Sequence, residues 1–325
     1  MSGLARTPRE NFMLAIEHQQ PCWLPCPTFD GSVMVIHHAL TERCDHGKDS
    51  WGVPWELKDP RSDSFPVSHP LTSPDEVEDY PLPWADDPRL LDEAKKTASK
   101  YDRGEVVLFG DNGWGLFERA WILLGMPRFF VWAFRHSSNL KRLIERIAEV
   151  KMTLTERLIS EVGVDIIGYG DDWGMEDRTL LSPRLWRALI KPWQAKLYST
   201  ARKHGVLVYQ HSDGRIEDLI PDLVEIGVDI LNIQRECKDW PGIIREYGHQ
   251  ITMWGGVSAR TLDMGDPKDI VREVEECTQW GRLGGLILAP GHSLKYPEEN
   301  MKTMHKTWIN KGSYKARCRS EEFEH

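Results

Sequence analysis

The chain reads as an α/β protein, a (β/α)8 barrel of the TIM type with an N-terminal extension and a long excursion near residues 44–90. Apolar strand-like runs begin near residues 165, 206, 229, 251 and 286, leaving room for one helix between neighbours, and that alternation marks parallel βαβ units. The runs end in polar or glycine-rich residues. Asp165-Ile-Ile-Gly-Tyr-Gly ends in Asp171-Asp172-Trp173-Gly174, Val206-Leu-Val-Tyr-Gln in His211-Ser212-Asp213-Gly214, and Asp229-Ile-Leu-Asn-Ile-Gln in Arg235-Glu236-Cys237. Ile251-Thr-Met-Trp ends in Gly255-Gly256 and Leu286-Ile-Leu-Ala-Pro in Gly291-His292. Side chains just past the carboxyl ends of barrel strands face the mouth where substrates bind. A length of 325 residues suits one barrel domain over 1–325. No GxGxxG follows a strand, so a dinucleotide-binding doubly wound sheet is the weaker choice.

In chain order, a helix is expected over about residues 8–19, followed by Cys22-Trp-Leu-Pro-Cys-Pro-Thr-Phe as a first strand interrupted by prolines. Residues 44–90 are rich in Pro, Asp and Ser with little periodicity and are expected to cover the barrel mouth rather than link two domains. A helix at about 88–101 leads to a second strand, Glu105–Gly110. Ser182-Pro183 supplies an N-cap and a first-turn proline for a helix running towards Lys203-His204-Gly205, where glycine stops it. Arg215–Ile226 forms the next helix, and Asp266-Pro267 opens another that ends near Gly284-Gly285.

The formal charge of -9 excludes the basic surface that nucleic acid or an anionic membrane rewards. No run approaches the roughly 18 apolar residues of a membrane span, and the N-terminus lacks the apolar core of a signal peptide. A cytoplasmic protein acting on small molecules is the expectation. The six cysteines are scattered, with no CxxC pair, and read as thiols in a reducing compartment. Among 14 tryptophans, Trp114, Trp173 and Trp254 lie near strand ends and with Tyr169 are candidates for the wall of a flat organic ligand's pocket.

Several of these segments resemble the uroporphyrinogen decarboxylase-like superfamily: Gly170-Asp-Asp-Trp-Gly-Met, Leu181-Ser-Pro-Arg-Leu-Trp, His211-Ser-Asp-Gly, Leu219-Ile-Pro-Asp-Leu-Val-Glu-Ile-Gly and Gly291-His292. Upstream, Trp51-Gly-Val-Pro-Trp and Gly115-Leu-Phe-Glu-Arg-Ala-Trp resemble it too. The resemblance implies a TIM barrel and one of two chemistries. True decarboxylases carry an Arg-Gln-Ala-Gly-Arg motif, which is absent here, and no arginine pair stands nearby to hold a polycarboxylate. The corrinoid-dependent methyltransferase branch looks closer. Its thiol-using members hold zinc with His-x-Cys after one strand and Cys after the last, where this chain reads His211-x-Asp213 and His292.

A His211, Asp213 and His292 set can bind zinc with an open position, and without thiolates the ion is a stronger Lewis acid, suited to polarising a substrate oxygen. The expected activity is O-demethylation of a small methoxylated aromatic, the methyl passing to a corrinoid carried by a separate partner protein. Asp171, Asp172 and Glu236 are the candidate acids for the leaving oxygen. Structural roles stay open: Asp213 can cap the helix near Arg215, His211 can hydrogen-bond a neighbouring loop, and Arg235 can pair with Glu236. The alternatives are a cofactor-free tetrapyrrole decarboxylase and a non-catalytic tetrapyrrole binder with His211 or His292 as axial ligand. His37-His38, Cys44-x-His46 and Cys22-x3-Cys26 form no complete metal site by spacing.

Overall fold

The computed structural model describes residues 6–59, 64–235, 239–292 and 294–314. Its strands are β1 (Val33–Ile36), β2 (His46–Lys48), β3 (Pro54–Glu56), β4 (Phe65–Pro66), β5 (Val107–Trp114), β6 (Ile166–Gly170), β7 (Leu207–Ser212), β8 (Ile230–Ile233), β9 (Thr252–Val257) and β10 (Leu286–Pro290). Seven of them form one curled parallel sheet in the order β1-β5-β6-β7-β8-β9-β10. Helices cover its outer face, as parallel strands buried on both faces require. The runs expected from residue 165 onward are β6 to β10, and the architecture is TIM-barrel-like.

The expected first strand is not one. Prolines 25 and 27 remove backbone donors from residues 22–29, and the chain there runs irregularly into a short helix, Pro27–Asp30. The segment meets the sheet where Leu288 N–H donates to Pro25 O at 2.8 Å. The true first strand is β1, four residues long. Among the described residues no ladder joins β10 to β1, where the eight-stranded reading expected closure.

Inward-facing side chains alternate along each strand. Val107, Ile166, Leu207, Ile230 and Ile287 fill the lower interior, with Phe109, Tyr209 and Trp254 above them. The helix Pro8–Ile16 seals the bottom: a Thr7–Glu10 capping box starts it, and Phe12 packs edge-on to Trp254 at 5.8 Å. Arg9 clamps Asp165, at the entry to β6, through two bonds of 2.8 Å. The expected helix beyond Ser182 divides into Pro183–Leu189 and Lys191–Arg202, because Pro192 removes one intrahelical bond. Three helices that the sequence reading did not draw, Leu116–Leu124, Met126–Arg135 and Ser137–Arg157, cross from β5 to β6.

The excursion after residue 44 builds the small antiparallel sheet β2-β3-β4 and packs at the carboxyl end of β5, with Trp55 5.4 Å from Trp114. Buried Asp49 ties it down, accepting from Trp51 N–H, Val53 N–H, Trp55 Nε1 and Arg119 Nη1 at 2.9, 2.9, 3.0 and 2.9 Å. Arg119 also reaches Glu42, which Lys151 meets at 2.7 Å. Two buried cations thus face two carboxylates, as buried charge demands. Among the described residues no helix is long and apolar enough to cross a membrane. Cys26, Cys44 and Cys277 are free, whereas Cys22 is disulfide-bonded, against the expectation of six thiols.

Candidate metal centre at the barrel mouth

The candidate site grows from the pleat of β7. Val208, Gln210 and Ser212 point outward and are fully buried against the helices. Gln210 Oε1 accepts from Tyr198 at 2.7 Å and from Gln194 at 3.0 Å, which fixes the strand's face. Leu207, Tyr209 and His211 therefore point inward, and His211 is the last of them before the rim.

Asn232 and Trp254 lie beside His211 in one row across β8 and β9. Asn232 Nδ2 donates to Trp254 O at 2.7 Å, so its Oδ1 faces His211 Nδ1, 2.5 Å away, as acceptor. That bond places a proton on Nδ1 and turns Nε2 towards the carboxylates. Asp213 Oδ1 lies 3.3 Å from Nε2 and Asp172 Oδ1 3.6 Å. His292 Nε2, after β10, stands 3.7 Å from Asp213 Oδ2. Burial opposes protonation of His211, yet Asp213 and Asp172 outweigh it and raise its pKa above the ordinary histidine value.

Ligand atoms of His211, Asp213 and His292 all lie within 4.8 Å of one another. Tetrahedral ligation at about 2.0–2.2 Å puts neighbouring donors about 3.3–3.6 Å apart; His211 Nε2 meets Asp213 Oδ1 at 3.3 Å, His292 Nε2 meets the other oxygen, Oδ2, at 3.7 Å, and the set as a whole lies within 4.8 Å. The buried Nδ1 of His292 has no hydrogen-bond partner among the described residues. The residues present fit a zinc ion, and Asn232 is the outer support such ligands use.

The loops after β6 and β7 are locked together behind this set. Asp172 Oδ1 accepts from Asp213 N–H at 2.7 Å, and Arg215 N–H bonds Met175 O at 2.6 Å. Gly174 and Gly214 cross backbone on backbone: a Cβ on Gly174 would lie 2.4 Å from Gly214 C, and one on Gly214, at φ +66°, 2.2 Å from Gly174 C. Only glycine fits at either position.

A family model for uroporphyrinogen decarboxylase (URO-D) matches residues 53–309, well over half of the chain. The chain belongs to the uroporphyrinogen decarboxylase family. Among solved structures, a methyltransferase from Methanosarcina mazei superposes with a TM-score of 0.73 over 94% of this chain and 99% of that one, at 16% identity. Such identity speaks for the shared fold alone. An endo-β-1,4-xylanase from Gloeophyllum trabeum reaches a TM-score of 0.40 at 10% identity, covering 69% of this chain and 81% of its own, too distant to carry an argument. No curated protein matches significantly.

Within this URO-D family chain the other candidates are placed unequally. Trp254 forms the floor, 5.5 Å from Tyr209, and Trp114 stands at the end of β5 against Trp55. Tyr169 and Trp173 do not join the mouth: the Tyr169 hydroxyl bonds Thr155 at 2.9 Å among the outer helices, and fully buried Trp173 packs edge-on to Trp186 at 5.2 Å. Glu236 and Cys237 lie outside the described residues.

Asp171 is fully buried and caps the helix Leu116–Leu124, accepting from Phe117 and Glu118 N–H at 3.0 and 2.7 Å. Burial raises its pKa to about 7. Asp172, beside His211 and Asp213, is raised by burial and then by the Asp213 carboxylate. Glu118 was not among the sequence candidates. Burial, then the carboxylates of Asp172 and Asp171, push it well above the usual range, in the direction of its neutral form. Its signal lay in Gly115-Leu-Phe-Glu118, whose acid sits in a helix's first turn after a strand. The signal for Asn232 was an amide inside an apolar run.

Proposed function

We propose that this URO-D family protein is a methyltransferase that demethylates a small methoxylated aromatic and passes the methyl group to the corrinoid of a separate partner protein. The observation that carries this reading is the convergence of His211, Asp213 and His292 at the carboxyl face of the barrel, with donor spacings of 3.3 and 3.7 Å. Zinc held by these three would supply Lewis-acid polarisation of the substrate's ether oxygen at an open fourth position.

The chain's own residues do the rest. Asn232 holds the His211 ring in one tautomer, so that Nε2 stays turned to the site. Asp172 fixes Asp213 through its backbone N–H, and its pKa is raised by burial and by the Asp213 carboxylate, in the direction that lets it serve as the acid. As the C–O bond of the ether breaks, the oxygen keeps the electron pair and takes the proton of that acid, while the methyl group leaves towards the partner's reduced corrinoid. Burial and the neighbouring carboxylates of Asp172 and Asp171 raise the Glu118 pKa, in the direction that favours its neutral form beside the site. Asp171, held by the two helix N–H groups, positions the strand end.

Arginines beside the mouth support this over decarboxylation of a polycarboxylate. Arg119 is committed to Asp49 and Glu42, and Arg235 to Glu276 and Gly256 O. The test incubates zinc-loaded protein with a reduced corrinoid protein and a panel of methoxylated aromatics, following methylation by corrinoid absorbance. Turnover that His211→Ala abolishes in a folded protein is expected. Carbon dioxide release from a carboxylated tetrapyrrole, with no methyl transfer across the panel, overturns the reading.

A further inference from the structure

Across the barrel mouth from the triad lies a second polar pair that neither the family match nor the proposed chemistry uses. His37, the first residue past β1, places Nδ1 3.2 Å from Asp111 Oδ2 on β5, and Asp111 Oδ1 accepts from Gly113 N–H at 2.9 Å. The strand register explains what separates this pair from the triad. Asp111, Gly168 and Tyr209 occupy one row across β5, β6 and β7, and Gly170 lies beside His211 in the next. Where β6 crosses the mouth it therefore contributes no side chains.

Glycines in a strand interior leave room for a ligand to approach the backbone. A Cβ on Gly170 would make ordinary van der Waals contact with Gly113 O at 3.7 Å and with Trp114 at 4.0 Å, so at that level Trp114 borders the strand. A Cβ on Gly168 would strike the Phe109 ring at 2.2 Å, so the ring lies over this glycine and floors the gap. Phe109 packs edge-on to Tyr209 at 4.9 Å, and Trp254 completes the floor. On the β1 side, Val35 shares the Phe109 row and is 42% exposed, so the interior above the floor is open to solvent there. Phe109, Tyr209 and Trp254 thus make an apolar floor, a slot bordered by the His37–Asp111 pair and by the triad.

We infer that His37, held by Asp111, is the distal anchor of this slot and takes a carboxylate borne by the aromatic ring of the substrate. The inference rests on the proposed methyl transfer, since that reaction places the methoxy end at the triad. Asp111 is occupied by His37 and Gly113, which leaves the outward Nε2–H of an imidazolium as the group on offer, a donor that selects an acceptor and favours an anion. The hydrogen bond to Asp111 raises the His37 pKa above its ordinary value, in the direction that keeps this donor charged. A substrate with its methoxy group at the triad would present a carboxylate on the same ring to this second polar group.

The experiment titrates zinc-loaded protein with 4-methoxybenzoate and with its neutral counterpart 4-methoxybenzamide, read by tryptophan fluorescence. Wild type should bind the carboxylate about tenfold more tightly, the worth of one charge-assisted hydrogen bond. His37→Gln, at an exposed position that leaves the fold intact, should erase the preference while leaving benzamide binding unchanged. Equal binding of the two by wild type, binding of neither, or a preference that persists in His37→Gln because the metal end takes the carboxylate, overturns the inference. Methyl transfer from neutral methoxyarenes without a carboxylate preference would remove this anchor and leave the methyltransferase. A His37-dependent preference with no methyl transfer would do the reverse.

Discussion

Asn232 is the sharpest place to test the candidate centre, because it is not itself one of the three candidate ligands and reaches the centre through His211. Its side chain is 5% exposed and makes two bonds, one with His211 Nδ1 and one to Trp254 O. Asn232→Ala removes both and leaves a buried donor and a buried acceptor unmet, at a cost of about 1–3 kcal/mol each when water does not enter. With the tautomer no longer fixed, zinc binding should weaken about 10–100-fold, the usual loss on removing such an outer support, or about 1.4–2.8 kcal/mol. Zinc affinity is measured by competition with a chromogenic chelator, and unfolding by urea with the metal-free protein, so that the two losses are read separately. Unchanged zinc affinity in a destabilised variant would refute the argument. It would mean that Nε2 needs no help from Nδ1 to face Asp213.

Three further outcomes follow from the same geometry. Asp171 is raised to about 7 by burial, so the native state holds a proton that the unfolded chain releases near pH 4. That stabilisation is complete below the unfolded pKa and is lost as pH rises from about 4 to about 7, by at most about 1.4 kcal/mol per pH unit. Urea unfolding across this window should show the decline in wild type and a flatter profile in Asp171→Asn; a wild-type stability that rises instead would contradict it. Asp49→Ala strips Arg119 of a buried partner and should destabilise the fold by about 3–5 kcal/mol, with protease cleavage appearing between residues 56 and 65; resistance to protease would place the anchor elsewhere. Burial raises the thiols of Cys26 and Cys277, the latter to about 12, so methyl transfer should survive iodoacetamide, and inactivation lost in Cys237→Ala would show that a thiolate takes part after all.

What the sequence made legible were the features that repeat. From Asp165 onward, apolar runs closed by glycine stops matched β6 to β10, since buried parallel strands need continuous apolar residues and barrel connections are short. β1 escaped because four residues carry too little pattern, while Cys22–Phe29 looked like a strand by hydropathy although its prolines could not complete a ladder. His211, Asp213 and His292 were readable as strand-end residues, and their convergence follows from the barrel. Tyr169 was a reasonable candidate by position, yet the two-residue pleat sends it outward with Ile167. Asn232 and Glu118 were hidden for a different reason: their roles depend on which neighbour a fixed backbone brings within hydrogen-bonding distance.

The crossing of Gly174 over Gly214 has a consequence for how the centre answers its ligand. Two loops from adjacent strands are pinned at van der Waals contact one or two residues beyond Asp172 and Asp213, with Asp172 bonded to the Asp213 backbone. Neither loop can shift without moving the other's chain. The conformational entropy that a mobile acidic loop would surrender on capturing a cation has already been given up during folding. The ends of β6 and β7 that carry Asp172 and Asp213 therefore behave as one rigid jaw, and whatever binds there has to fit its setting.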